Sequence, residues 1–356
     1  MRKLLRRRWA TVADESGQTL VFSIIMLAVC FGFAAIVIDG GDYLLVRRNM
    51  QGNADAAALA AARDLIDSQA QATATVNDYV TSKNSIDGAS VDQIQFLSNS
   101  RMKVTVKREE EGQFLQFFGM DAPTIRASAT VQIRTMGARA GMLPLAFMRD
   151  SYTLGQNAEI KTAASGTSNR GAVSPDNSPP TCNTSNGAND FRNMIMGEAN
   201  GGIDACAHPI GDMIDTKPGN MSGPTRQGFD GLIGGSCGGA CANTDSFDDV
   251  FELDDATGKY VVKLPNSPRL GMVPIIQNDT GGNTWPNGNK QVEIVQYMLV
   301  YIGKTDEPPN YPAWTDNGKS VWVTPVQTFM PASWDPDSFI DFDEDNDAPT
   351  VVSLVE

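Results

Sequence analysis

The most pronounced pattern in the chain is an unbroken run of 20 uncharged, mostly apolar residues from Thr19 to Ile38. A helix rises about 1.5 Å per residue, so this run is about 30 Å long and matches the hydrocarbon core of a bilayer. The pattern therefore predicts a transmembrane helix over residues 19–38. Positive charge favours the cytoplasmic side, so residues 1–18 are expected inside and everything after Asp39 outside. The basic residues before the run are Arg2, Lys3, Arg6, Arg7 and Arg8.

Two other interpretations of the apolar run involve processing. A cleaved signal peptide usually has an apolar core of about 7–15 residues and a small-residue cleavage site. This run is longer, and residues 39–42 (DGGD) follow it. Residues 27–30 (LAVC) resemble a lipid-attachment box, but apolar sequence continues beyond Cys30. The length of the run favours a permanent anchor over both.

The helical period continues beyond the apolar run. Apolar and small residues recur every three or four positions from Tyr43 to Leu65, and residues 53–62 (NADAAALAAA) have high helix propensity. We expect one helix over residues 18–66, about 75 Å long, with a hinge at Gly40-Gly41. Its small residues would permit close packing against other helices, although alanine is also simply a good helix former. The candidate packing residues are Ala28, Gly32, Ala54, Ala57, Ala58 and Ala61.

The segments after the long helix change to a period of two. A shorter helix is predicted over residues 70–83. Apolar and polar residues then alternate over 101–107 and 125–134, which is typical of half-buried strands with one solvated face. Residues 114–118 (FLQFF) predict a short helix between these strands. Residues 39–136 are thus expected to form a long helix packed on a small antiparallel sheet.

Both periods weaken from residue 137 onwards. Residues 163–248 are rich in Gly, Asn, Ser, Asp, Pro and Thr, which predicts ordered loops or partial disorder. Residues 271–277, 292–302 and 321–330 are rich in Val, Ile, Tyr and Trp and predict strands. The expected fold class is α+β: the helix and small sheet precede a loop-rich, mainly β domain over residues 137–356 that ends in an acidic tail.

Charge and cysteine content narrow the possible partners and chemistry. The chain carries 28 basic and 42 acidic residues, and a surface this acidic repels phosphate backbones, so no nucleic-acid partner is expected. Disulfides are favoured over zinc because paired CxxC motifs are missing and His208, taken as a loop residue, is the only histidine. Three disulfide connectivities remain open. The candidate cysteines are Cys182, Cys206, Cys237 and Cys241.

Alternating carboxylates near the C-terminus are the strongest candidate for ion binding. Oxygen ligands at alternate positions open calcium loops, but the glycine and final glutamate of such a loop are missing here. A solvated acidic tail is therefore favoured over a weak calcium site. The carboxylates are Asp341, Asp343, Asp345 and Asp347.

Catalytic motifs are missing from the sequence. It contains no nucleophile elbow, phosphate-binding loop or HExxH motif, so neither a catalytic residue nor a cofactor is predicted. Four tryptophans among polar residues could stack on sugars, although core packing is commoner for this side chain. They are Trp285, Trp314, Trp322 and Trp334.

Several short motifs occur together around the apolar run. They are residues 15–18 (ESGQ), 39–43 (DGGDY), 47–51 (RRNMQ) and 53–58 (NADAAA). With the apolar span, they resemble the TadE/TadG-like family of Flp (Tad) pilus-assembly proteins. Two features of that group are missing. Phe22 stands where cleaved pilins have a glutamate, and the D-x-S-x-S metal motif of some TadG-like chains does not occur.

The resemblance implies a non-enzymatic, single-pass protein of the bacterial cytoplasmic membrane. It would assist assembly or anchoring of a Flp-type pilus or secretion apparatus. Its expected partners are other pilus-assembly or envelope proteins, with a homo- or hetero-oligomer formed through the N-terminal helix. The alternative is a tethered cell-surface binding or adhesion module that acts through the C-terminal domain.

Overall fold

The computed structural model describes residues 16–112, 114, 123–162, 170–175, 187–234, 241–254, 258–278, 282, 284–330, 334, 336–342 and 347–355. The helices are α1 (Ser16–Leu65), α2 (Gln69–Asp78), α3 (Ala188–Met196), α4 (Ser222–Leu232) and α5 (Phe247–Val250). The first strands are β1 (Ser90–Ser98), β2 (Arg101–Glu109), β3 (Thr124–Ala138), β4 (Leu145–Met148), β5 (Ala158–Lys161), β6 (Arg170–Ser174) and β7 (Met213–Thr216). The later strands are β8 (Phe251–Asp254), β9 (Lys259–Val262), β10 (Leu270–Asn278), β11 (Gln291–Ile302), β12 (Trp314–Thr315), β13 (Ser320–Val326), β14 (Ser338–Asp341) and β15 (Thr350–Val355).

Helix α1 runs for 50 residues, which confirms the predicted long helix. It stays helical through Gly40 and Gly41, so no break occurs at the expected hinge. Its first half has little contact with the rest of the described chain, since the large apolar side chains from Leu20 to Ile38 are 42–72% exposed. From Met50 onwards one face of α1 is fully buried. The second predicted helix is α2, which continues as one π-helical turn, Tyr79–Lys83.

The buried face of α1 lies on an antiparallel sheet built from β1, β2 and β3. The predicted alternation is confirmed, since Met102, Val104 and Val106 are fully buried between more exposed neighbours. The predicted helix at 114–118 falls almost entirely outside the described residues. We call α1, α2 and this sheet, with the two strands described next, the helix–sheet unit.

The C-terminal segment returns to this same sheet. Strand β14 pairs with the end of β3 through residues 134–138, and β15 pairs with residues 130–135 of β3. Val352 packs against the core that α1 covers. The expectation of a solvated acidic tail is therefore wrong for residues 338–341 and 350–355, because both segments pair with β3 and complete a sheet begun some 200 residues earlier. The two predicted units are thus not consecutive along the chain.

The middle of the chain forms a second, eight-stranded sheet. Strands β10, β4, β6, β7 and β11 pair in that order, and β11 pairs back with β10, so these five strands close a ring. Strand β13 pairs with residues 299–302 of β11, and β12 and β5 each pair with β13. The three predicted strands are β10, β11 and β13. We call β4–β13 with α3–α5 the ring unit.

Both faces of the central strands in the ring unit are covered. Phe147 belongs to one buried cluster, and its neighbour Met148 belongs to another. On β11, Val300 belongs to the same cluster as Phe147, and its neighbour Leu299 belongs to the same cluster as Met148. Strands covered on both faces read as continuous apolar runs, which is why the sequence revealed them.

Residues 163–248 are more regular than the sequence predicted, because they contain β6, β7, α3 and α4. Phe191 and Ile195 of α3 and Phe229 of α4 are buried against the ring. These apolar residues recur at helical spacing over only a few positions, among many small polar residues. The sequence pattern therefore did not reveal the two helices. In its described part, this stretch therefore contains short helices and strands between the predicted loops.

Helices α3 and α4 approach each other closely at Gly228. A Cβ on this residue would lie 2.7 Å from the Cβ of Ile195 and 2.9 Å from the carbonyl oxygen of Arg192. We expect Gly228→Ala to lower the free energy of unfolding by about 1–3 kcal/mol through overpacking. Gly223→Ala on the same helix is the control, since no atom lies within 4 Å of its Cβ position. Urea titration followed by tryptophan fluorescence measures both, and equal stability of the two variants would contradict the packing.

Candidate functional site

The candidate site is α1, whose exposed half and covered half meet at Asp39. Asp39 is 1% exposed, and its carboxylate oxygens lie 3.0 and 3.3 Å from the Phe114 amide nitrogen that donates to them. This contact ties the β2–β3 connection to the C-terminal end of the apolar run. The exposed half is long and apolar enough to cross a membrane.

The predicted packing residues on α1 separate into two groups. Ala54, Ala57, Ala58 and Ala61 are fully buried against β2, β3 and α2 of their own chain. They are not available to other helices, so that expectation is wrong for these four. A period of three and four residues marks a buried face but does not say what covers it.

The other two predicted packing residues lie on the exposed half. Ala28 is exposed, and no atom lies within 4 Å of a Cβ built on Gly32. Glycine in a helix interior costs about 1 kcal/mol relative to alanine. The fold of this chain does not itself require Gly32, and its role in packing against other helices remains a proposal.

Polar side chains fix the covered half of α1 to the rest of the helix–sheet unit. The buried Asn53 donates through Nδ2 to the carbonyl of Asn84, which follows α2 and the π-helical turn. Gln51 donates to the carbonyl of Ser128 on β3 at 3.0 Å. These bonds hold helix and sheet together in addition to the alanine face.

Two contacts join the end of α1 to β9 and to the segment that follows β13. Lys259 on β9 forms an ion pair with Asp67 at 3.3 Å. The guanidinium of Arg63 lies over the ring of Phe329, 5.3 Å from its centroid. With the returning β14 and β15, they connect the ring unit to the base of the helix.

The cysteine predictions are only partly covered by the described residues. Cys30 on α1 is a free, exposed cysteine, whereas Cys206 and Cys241 are not free thiols. Cys182 and Cys237 lie outside the described residues, so the disulfide connectivity stays a prediction.

His208 lies in a loop, as expected, but is 1% exposed. Its Nε2 bonds the carbonyl oxygen of Pro175, and its Nδ1 lies 3.4 Å from a carboxylate oxygen of Asp212. Its own carbonyl accepts a bond of 2.6 Å from the hydroxyl of Tyr297. The histidine is therefore part of the interior packing.

Two of the four candidate calcium ligands, Asp341 and Asp347, lie within the described residues and have different surroundings. Asp341 lies opposite Arg134 in the backbone register of β14 and β3. Asp347 accepts a hydrogen bond of 3.3 Å from the hydroxyl of Tyr152. Burial raises the pKa of Asp347. Asp343 and Asp345 lie outside the described residues. Within the described part of the chain, no group of three or more potential metal ligands occurs, and a calcium site stays a prediction.

The four tryptophans occupy different surroundings. Trp314 donates to Asp230 at 2.9 Å, and Trp334 stacks under the guanidinium of Arg139 at 3.9 Å. Trp285 packs beside Gly171 and the ring core. Trp322 lines a polar cavity.

Lys161 is a buried cation that the sequence did not single out. It is 4% exposed, and its ammonium donates to the carbonyls of Gly318 at 2.7 Å and Lys319 at 3.0 Å. Burial lowers the pKa of its amine to about 8, partly offset by the carboxylate of Glu159. Its position at the end of an amphipathic strand gave no signal, because lysines at such ends are usually solvated.

This depressed pKa predicts a pH-dependent stability. Between pH 8 and the ordinary value of 10.5, the unfolded chain binds more protons at Lys161 than the folded chain does. The contribution of Lys161 to the free energy of unfolding should therefore rise with pH across this window. Urea titrations of wild type and Lys161→Met between about pH 7 and 10 test this, because their difference removes the other groups. A difference that stays constant or falls would contradict the prediction.

Comparison with curated proteins and with solved structures gave no match to this chain. One match covers the candidate site itself: residues 17–64, nearly the whole of α1, match the family described as putative Flp pilus-assembly TadE/G-like.

Proposed function

We propose that this protein is a single-pass membrane component that assists assembly or anchoring of a Flp-type pilus or a related secretion apparatus. One observation carries the proposal: the segment that matches the pilus-assembly family is a single helix, exposed and apolar in its first half and covered by its own sheet in its second. A helix built this way is suited to hold a folded body at a fixed distance from a bilayer.

The proposed orientation places residues 1–18 in the cytoplasm and residues 39–356 outside it. Five basic residues before the span support this direction, because positive charge is retained on the cytoplasmic side. The proposed location is the bacterial cytoplasmic membrane.

The exposed half of α1 is the proposed contact with partners. Ala28 and Gly32 are four residues apart, a spacing that lets two helix backbones approach closely in a bilayer. The proposed partners are membrane helices of other pilus-assembly or envelope proteins, or of a second copy. The ring unit would then present a folded surface outside the membrane.

The proposed role is non-enzymatic. Several buried polar side chains among the described residues contribute to the structure itself: Asn53 fixes helix to turn, Lys161 bonds two carbonyls and His208 joins a loop to the ring. This supports an architectural role.

The experiment is complementation of a strain lacking this gene, scored by counting pili in electron micrographs. Wild type should restore piliation, whereas Gly32→Leu should reduce it strongly without changing the amount of protein in the membrane. Ala34→Leu on the same half of the helix is the control for added bulk. Cys30, the free cysteine within the apolar run, provides a crosslinking handle to identify neighbouring helices in membranes. Normal piliation of the deletion strain would contradict the proposal.

A further inference from the structure

A polar cavity of about 280 Å³ lies in the ring unit, away from α1. It opens between the loop that joins β4 to β5 and the paired strands β5 and β13. Tyr152, Gln156, Glu159, Arg170 and Trp322 line it. This volume is near the lower limit of small-molecule sites and leaves room for one ring-sized group.

The loop wall of the cavity is fixed by internal bonds. Asn157 accepts hydrogen bonds from the amide and hydroxyl of Thr305 and from the hydroxyl of Thr324, at 2.9–3.2 Å. The Gly155 amide donates to the carbonyl of Pro325 at 2.8 Å. The cavity is therefore preformed, so a ligand would bind without the entropic cost of ordering the loop.

Two aromatic residues of the lining are also held in place. The hydroxyl of Tyr152 donates to Asp347 and accepts a bond of 2.8 Å from Gln296. The ammonium of Lys304 lies 4.5 Å from the ring centroid of Trp322. The site thus offers fixed apolar ring surface as well as polar groups.

Three other polar side chains of the lining are open to hydrogen bonding, although the carboxylate of Glu159 also acts electrostatically on Lys161. Among the described residues, the side chains of Thr153, Gln156 and Glu159 form no hydrogen bond with a protein group. A hydroxyl, an amide and a carboxylate together both donate and accept hydrogen bonds. The charges of Glu159 and Arg170 balance, which disfavours a ligand with a large net charge.

We propose that this cavity binds a neutral sugar ring. A pyranose presents several hydroxyls that both donate and accept hydrogen bonds, together with apolar C–H faces that suit aromatic rings. The cavity matches these requirements because Gln156 and Glu159 offer polar groups and Tyr152 and Trp322 offer aromatic rings. Glycans of the cell envelope are the source of sugar that the proposed location makes available. The inference does not depend on the role in pilus assembly.

Saturation-transfer NMR on the full chain tests this proposal. The protein is held in a phosphocholine detergent, because maltoside headgroups are themselves sugars. The probes are glucose, galactose, mannose and N-acetylglucosamine, with lysine and glutamate as charged competitors. At least one sugar should receive saturation and should not be displaced by either amino acid.

Substitutions of residues that line the cavity test whether the sugar binds there. Glu159→Gln and Gln156→Ala should each weaken it about tenfold, the effect of losing one hydrogen bond worth about 1.4 kcal/mol. Glu252→Gln, at an exposed position of strand β8, is the matched control and should bind as wild type does. The proposal is overturned if no sugar receives saturation, if an amino acid displaces the sugar, or if Glu159→Gln binds as tightly as the control.

Discussion

Replacement of Arg269 by methionine should lower the free energy of unfolding by about 3–5 kcal/mol, the largest effect of a single side chain that we expect in the ring unit. Arg269 is 1% exposed, and its guanidinium donates to three carbonyls, those of Ile302, Pro309 and Tyr311. Each buried carbonyl left without a donor costs about 1–3 kcal/mol. Methionine keeps most of the side-chain volume, so the loss reports mainly on the hydrogen bonds.

Lys319→Met is the control for Arg269→Met, because its side chain is exposed and the change should stay within about 0.5 kcal/mol. Both variants can be compared by urea titration of the detergent-held protein, followed by tryptophan fluorescence. If Arg269→Met were as stable as the control, the loop from residue 303 to residue 313 would not depend on this cation.

Replacement of Ala58 by aspartate should destabilise the helix–sheet unit by about 4 kcal/mol or more. Ala58 is fully buried between α1 and the sheet, where a carboxylate would lose its hydration without gaining a counter-charge. Hydrogen exchange should then show faster opening of β2 and β3.

The control is Ala60→Asp on the more exposed side of the same helix, which should have little effect. This pair also distinguishes the two interpretations of the alanine-rich segment. If its alanines were reserved for a partner helix, neither variant would change the stability of the isolated protein. Equal behaviour of Ala58→Asp and Ala60→Asp would therefore contradict the packing of α1 on its own sheet.

The elements that the sequence predicted best are those with long, regular periods. The span at Thr19–Ile38, the helix that continues from it and the alternation at Met102, Val104 and Val106 depend on local spacing alone. Strands β10 and β11 were recognisable because apolar clusters cover both of their faces.

What the sequence did not predict depends on contacts between distant residues. Strand β15 pairs with β3 across more than 200 residues, and nothing in residues 350–355 specifies that partner. The alanine face of α1 likewise needs a cover that local spacing cannot identify. Buried cations such as Lys161 and Arg269 resemble surface residues until the carbonyls around them are known.

The central claim is that α1 crosses the membrane once and holds the rest of the chain outside the cytoplasm. Labelling of an added cysteine with a membrane-impermeant maleimide tests it most directly, in a Cys30→Ala background whose own labelling by the four remaining cysteines is measured and subtracted. Asn99→Cys lies on the exposed turn between β1 and β2, and Thr11→Cys precedes the span. The account predicts that spheroplasts label Asn99→Cys at once and Thr11→Cys only after lysis. Labelling of Thr11→Cys in intact spheroplasts, or protection of Asn99→Cys until lysis, would contradict it.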